Sequence, residues 1–116
     1  MTAQNEDRIQ TDCYVWFHNK FPKLRGLLCY NLNNSKNKIA GAKNKAMGLQ
    51  KGRSDLVLYY KGKAYMIEMK TEDGKQTKDQ KIWQATVVRN GFKYYLARNI
   101  NEFKIIIYGC LQNSDE

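Results

Sequence analysis

"GRSDLVLYYKGKAYMIEMK", Gly52 to Lys70, decides how this chain folds. Leu56 to Tyr60 and Ala64 to Met69 are aliphatic and aromatic runs, and the Lys61-Gly62 step between them supplies a glycine for a tight turn, so the stretch predicts a β-hairpin. Its oddity is charge. Asp55 opens the first strand and Glu68 lies near the end of the second, where a sheet should be burying apolar side chains. With a two-residue loop Tyr60 pairs with Lys63, and counting outward sets Asp55 opposite Glu68 on one face, with Cβ atoms ~5 Å apart. A loop one residue longer slips the register and separates the pair. Lys70, two residues beyond Glu68, projects from the same face.

Elements on either side of the hairpin follow from local signals. Asn5 to Lys20 carries Ile9, Cys13, Trp16 and Phe17 at helical spacing, with Asn5 as N-cap and Glu6 and Asp7 in the first turn. Leu27 to Cys29, beyond Pro22, suits a short first strand. Asn31 to Gly52 is polar and rich in Lys, Asn and Gly. It reads as a long loop with at most a helical turn at Ala42 to Met47, and a structureless span of ~20 residues in a small domain points to function or mobility. After the hairpin, Thr77-Lys78-Asp79-Gln80 matches a capping box that opens a helix to about Arg89, with Trp83 and Val87 on one face and Asn90-Gly91 as its stop. Phe92 to Ala97 predicts a strand. From Asn101 the chain is compatible with helix or strand, and the β-branched residues at Ile105 to Ile107 favour strand locally. The order predicts an α/β fold, a mixed central sheet flanked by helices, as one domain over 1–116 with its core in 5–111.

Composition bounds the function. With 116 residues, 42% of them hydrophobic, and a single proline, the chain can bury a core without staples. Cys13, Cys29 and Cys110 are odd in number and lack any C-x-x-C spacing, which argues for reduced thiols over disulfides or zinc. His18 is the only histidine and reads as a polar residue on the first helix. No apolar run approaches the ~20 residues of a membrane helix, so a cytoplasmic protein, in a host's cytoplasm if viral, is expected. Twenty Lys and Arg against eleven Asp and Glu give a net charge of +9. The excess is concentrated: between Asp12 and Asp55 there is no acidic residue, while Lys20, Lys23, Arg25, Lys36, Lys38, Lys43, Lys45, Lys51 and Arg53 fall in that interval. A one-signed field of this length suits a polyanion, through counterion release from phosphates. A solvated basic surface that serves solubility is the alternative from charge alone.

Two facing carboxylates repel unless one keeps a proton or a cation lies between them. Mg²⁺ is suited to that position, since it prefers oxygen and takes one or two protein carboxylates, leaving its remaining positions to water and phosphate. An ammonium beside it can orient an attacking water or stabilise charge developing on a phosphate. Asp, Glu and Lys so arranged suit phosphodiester hydrolysis. Each residue alone has a plainer reading, as a strand start, an exposed edge or a helix cap.

Three stretches in order, "MGLQKGRSDLVL" from Met47, "AYMIEMK" from Ala64 and "GKQTKDQKIW" from Gly74, followed by Gly91 and an aromatic strand, resemble the VRR-NUC family of the PD-(D/E)XK nuclease superfamily. "EDRIQ" from Glu6 is similar to that family's first helix, so the likeness extends from Asn5 to Leu111. It implies a restriction-endonuclease-like core with Asp55 and Glu68 as metal ligands, Lys70 as catalytic lysine and Gln80 as active-site glutamine. Glu6 would reach the metal through its water shell. Ser54 departs from the proline that often precedes the family aspartate, and the family asparagine before the basic loop matches Asn31, Asn33 or Asn34 equally well.

The expectation from these readings together is a Mg²⁺-dependent DNA endonuclease, with Mn²⁺ able to substitute. Lys36, Lys38, Lys43, Lys45, Lys51 and Arg53 would hold the nucleic acid. Stand-alone members resemble phage-type enzymes of branched DNA and four-way junctions, and symmetric cutting of a junction calls for a homodimer. The rival is a binding module without catalysis that uses the basic loop and Tyr30, Tyr59 and Tyr60. Cleavage of linear DNA or of RNA is a third possibility.

Overall fold

Glu6–Lys20 forms the first helix (α1) in a computed structural model that describes residues 5–31 and 37–113. Asn5 caps it as the sequence predicts, its side chain accepting from the Arg8 amide at 2.8 Å. A 3₁₀ turn at Pro22–Leu24 then leads into β1, Leu28–Tyr30. Lys38–Ala46 is a helix (α2), Leu56–Tyr60 and Lys63–Met69 are β2 and β3, and Lys78–Arg89 is α3. Lys93–Ala97 (β4) and Ile100–Asn113 (α4) complete the order.

The four strands lie side by side in chain order, β1-β2-β3-β4. Pairing is antiparallel between β1 and β2 and between β2 and β3, and parallel between β3 and β4, which makes the sheet mixed. A parallel neighbour requires a crossover, and α3 provides it. The expected hairpin forms with its two-residue loop: Lys61 and Gly62 both adopt positive φ, 47° and 78°, the signature of a type I′ turn. Tyr60 therefore pairs with Lys63, and the ladder runs to Leu56 opposite Ile67.

Alternation sends the two sets of side chains to different partners. Leu56, Leu58, Tyr65, Ile67 and Met69 join Ile9, Cys13 and Phe17 of α1 and Phe103, Ile107 and Cys110 of α4 in one buried cluster. Completely buried aromatic and aliphatic side chains such as Phe17, Phe103 and Ile107 contribute roughly 1.5–3 kcal/mol each by leaving water. Val57, Met66, Glu68 and Lys70 project from the opposite face and are buried there too. Helix α3 lies on that side, held at its start by the expected capping box of Thr77 and Gln80. Its end is a Schellman motif, in which Gly91 at φ 92° donates to the Val88 carbonyl and Phe92 to that of Val87.

Two local readings are corrected. The closing segment is a helix despite its isoleucines, because Phe103, Ile107 and Cys110 recur at helical spacing against the core. Asn99 also caps it, its Oδ1 accepting from the Glu102 amide at 2.9 Å, while Glu102 Oε1 accepts from the Arg98 amide at 2.8 Å. The expected turn at Ala42 to Met47 belongs to the longer α2, which opens at Asn37, whose side chain accepts from the Ala40 amide. The three cysteines form no disulfide among the described residues; Cys13 and Cys110 are buried and Cys29 half-buried. Burial pushes the Cys13 and Cys110 thiols up to about 12 and about 11, so both stay protonated at neutral pH. His18 stacks on Tyr14 one turn earlier on α1. No helix among the described residues is long and apolar enough to cross a membrane.

Candidate active site

The β2–β3 ladder ends at the Leu56–Ile67 pair, and Asp55 and Glu68 are the next residues beyond it, close enough for the charge of Glu68 to act on Asp55. The Asp55 carboxylate continues the pairing that its backbone leaves off, Oδ2 accepting from the Met69 amide at 2.7 Å. Its carbonyl accepts from the Asn31 amide at 2.8 Å, and the Asn31 carboxamide donates to the Ser54 carbonyl at 2.9 Å. Asn31 thus fixes the backbone on both sides of the Ser54–Asp55 bond. Ser54 is completely buried, with its hydroxyl donating to the Leu56 carbonyl. Of the other two asparagine candidates, Asn33 and Asn34 lie outside the described residues.

Gly52 ties this segment to α3. A Cβ built on it would lie 2.4 Å from the Asp79 carbonyl carbon and 2.6 Å from the Gln80 nitrogen, and its φ is +73°. Only glycine permits both the conformation and the close approach. The first turn of α3 is in this way seated on the strand that delivers Asp55.

Glu68 has no solvent exposure. The Tyr94 hydroxyl donates to its Oε1, and the Gln76 carboxamide donates to the same oxygen at 3.2 Å and to Gln84 Oε1 at 2.7 Å. Oε2 is buried and has no hydrogen-bond partner among the described residues. An unsatisfied carboxylate oxygen in the interior is a large penalty for a fold to carry without a compensating ligand. Lys70, 6% exposed, follows on the same face of β3.

Burial raises Asp55 from its ordinary 3.8 to about 6. The Met69 amide opposes the rise, Glu6 and Glu68 reinforce it by repulsion, and the Lys70 ammonium lowers it. That field places Glu6, at the N-terminus of α1, and Lys70 within electrostatic reach of the same carboxylate. Burial also pushes the Tyr94 hydroxyl up, helped by Glu68, so it remains a donor at neutral pH.

The remaining expected residues are distributed as follows. Gln80 is at the third position of α3, where its Oε1 accepts from the Thr77 amide at 2.8 Å. The glutamine that bonds to the Glu68 carboxylate is Gln76, four residues earlier. Lys38, Lys43 and Lys45 are exposed on α2, a helix with no buried residue, and Lys51 is exposed just after it. Arg53 is half-buried, two residues before Asp55. Lys36 lies outside the described residues. Sequence reasoning missed Gln76, Gln84, Tyr94 and Arg98. The last donates from Nη1 to the carbonyls of Thr71 and Gly74 at 2.7 Å and of Glu72 at 3.1 Å, which pins the loop between Lys70 and Gln76.

The donor set suits a hard divalent cation: two carboxylates, one with a free buried oxygen, and a lysine alongside. The described residues hold no cluster of three or more His, Cys, Asp or Glu side chains that could bind a metal.

Residues 4–99 match the VRR-NUC domain. A solved structure described as a "VRR_NUC domain protein" superposes with a TM-score of 0.75 at 22% identity, covering 92% of this chain and 88% of that one. Among curated proteins none matches. With the domain matched over most of its length and its α/β architecture shared with that structure, the chain belongs to the VRR-NUC family of the PD-(D/E)XK nuclease superfamily.

Proposed function

We propose that this protein is a Mg²⁺-dependent DNA endonuclease that hydrolyses phosphodiester bonds, with branched DNA such as four-way junctions as its preferred substrate and Mn²⁺ as an effective substitute. The observation that carries the reading is the buried Glu68 Oε2, without a partner and, like Asp55, just beyond the end of a ladder. Asp55 and Glu68 would hold the cation, with Glu6 reaching it through water. When bound, the ion supplies charge to polarise a phosphate oxygen and to acidify water.

The chain's own groups do the rest. Lys70 is almost buried beside Asp55, and in that low-dielectric position its ammonium can orient the attacking water and balance negative charge as the phosphorus becomes five-coordinate. Gln80, on the first turn of α3, is the remaining active-site candidate. It holds that turn in place above Gly52, and thereby the approach of the strand carrying Asp55. The lysines of α2 together with Lys36, Lys51 and Arg53 would grip the backbone on the path into Asp55. Symmetric incision of a junction needs two active sites, which a C₂ dimer supplies.

The test is cleavage of linear, nicked, flapped and four-way-junction DNA and of RNA, with and without Mg²⁺. Metal-dependent cutting strongest on the junction, lost in Asp55→Ala with binding intact, is expected. A protein that binds DNA but never cuts it with Mg²⁺ or Mn²⁺ is a binding module, and the enzymatic reading falls.

A further inference from the structure

The two oxygens of Glu68 are treated differently by the protein. Oε1 accepts from two donors, the Tyr94 hydroxyl and the Gln76 carboxamide, while Oε2 has none. The donors come from separate parts of the fold. Tyr94 is on β4, paired with Met66, so its ring lies on the same face as Glu68 and reaches the carboxylate diagonally across the parallel ladder. Gln76 is in the segment that leads into α3, and Gln84 on that helix accepts its second amide hydrogen at 2.7 Å. Strand β4 and the segment leading into α3 therefore converge on one oxygen.

Two donors on one carboxylate oxygen occupy its lone pairs and fix the plane of the group. What is left is a single buried oxygen at a set angle. A carboxylate free to rotate would offer a cation either oxygen or both, whereas this one can offer only Oε2.

We propose that Tyr94 and Gln76, the latter aligned by Gln84, are positioning residues that present Glu68 to the divalent cation through Oε2 alone. The inference rests on the nuclease reading above and adds a mechanism for how Glu68 is preorganised. Hydrogen-bond partners of ligating carboxylates change metal affinity by about 10–100-fold when removed.

Mn²⁺ binding to the full chain, measured by calorimetry and by electron paramagnetic resonance without DNA, tests it. Tyr94→Phe and Gln76→Leu should each weaken Mn²⁺ about tenfold or more, and Gln84→Leu should weaken it less. The Mn²⁺ concentration for half-maximal cleavage should rise by the same factor, with the rate at saturating Mn²⁺ largely restored. A role confined to packing would lower thermal stability and leave the Mn²⁺ affinity where it was. Unchanged or tighter binding by Tyr94→Phe overturns the inference, the second case meaning that the tyrosine competes with the cation. Should circular dichroism show Tyr94→Phe unfolded, Gln76→Leu decides by the same criterion. Wild-type protein that takes up no Mn²⁺ would bring down the nuclease reading together with this one, while wild type that binds alongside unaffected variants brings down this inference alone.

Discussion

Replacing Asp55 by asparagine should make the metal-free protein more stable, and by an amount that depends on pH. The substitution keeps the shape and the acceptor for the Met69 amide, and removes only the charge. An ordinary aspartate ionises near 3.8, whereas burial and the repulsion of Glu6 and Glu68 hold the Asp55 proton to about 6. The folded chain thus binds this proton more tightly than the unfolded chain does. The contribution to stability is complete below about pH 4, is lost as the pH rises through about 6, and stays lost above it. At ~1.4 kcal/mol per pH unit between those values the ceiling is about 3 kcal/mol. Asp55 retains some exposure, and solvent relaxation should reduce this to roughly 1–2 kcal/mol.

In urea or thermal melts with EDTA, the two proteins should coincide near pH 4 and diverge toward pH 7. There Asp55→Asn should melt roughly 4–10 °C higher. The difference between the curves reports residue 55 together with its coupling to Glu6 and Glu68. Millimolar Mg²⁺ should then stabilise the wild type and leave the variant almost unmoved, because only a chain that binds the ion gains from it. A variant no more stable than wild type at pH 7.5, or a difference that is flat from pH 4 to 7, would refute the argument that ionised Asp55 is a buried liability awaiting a cation.

The other expectations are more direct. Lys70→Met and Glu68→Gln should each lower cleavage by at least ~10²-fold with DNA affinity retained, read from paired cleavage and mobility-shift assays; a few-fold effect would remove them from the chemistry. Lys43→Ala with Lys45→Ala should weaken DNA binding and flatten the slope of log affinity against log salt by about 1–2, at unchanged melting temperature, because α2 buries nothing. Gly52→Ala should destabilise the fold by roughly 2 kcal/mol or more, since a methyl at φ +73° would collide with the backbone of Asp79; an unaffected urea midpoint would contradict the close approach.

What could be read from the sequence was what neighbouring residues determine. The Lys61-Gly62 turn, the Thr77–Gln80 box and the Asn90-Gly91 stop each carry their instruction within a few positions, and all three appear in the structure. From the turn alone the register followed as far as the Leu56–Ile67 pair, beyond which Asp55 and Glu68 are the next residues. The closing helix is obscured because the β-branched residues at Ile105 to Ile107 favour strand locally, while the cap that opens it lies upstream at Asn99. Tertiary burial of Phe103, Ile107 and Cys110 then outweighs a propensity difference of a few tenths of a kcal/mol per residue.

Gln76, Gln84, Tyr94 and Arg98 belong to a different category. No local pattern marks them, because what gives each its place is the parallel register of β3 with β4, and that register depends on how α3 crosses the sheet. Once Met66 is known to pair with Tyr94, a tyrosine two positions before Leu96 must fall on the carboxylate face, diagonal to Glu68. Gly52 depends on the same crossover, since its missing Cβ matters only after α3 has been laid against it. The two carboxylates, Asp55 and Glu68, are thus written in a hairpin that the chain encodes locally, whereas the donors to Glu68 come from the segment leading into α3 and from β4. Substitutions at Gln76, Gln84 or Tyr94 should therefore shift metal affinity while leaving the hairpin register intact, whereas a substitution at the Lys61-Gly62 turn that slips the register should part Asp55 from Glu68 and abolish metal binding with it.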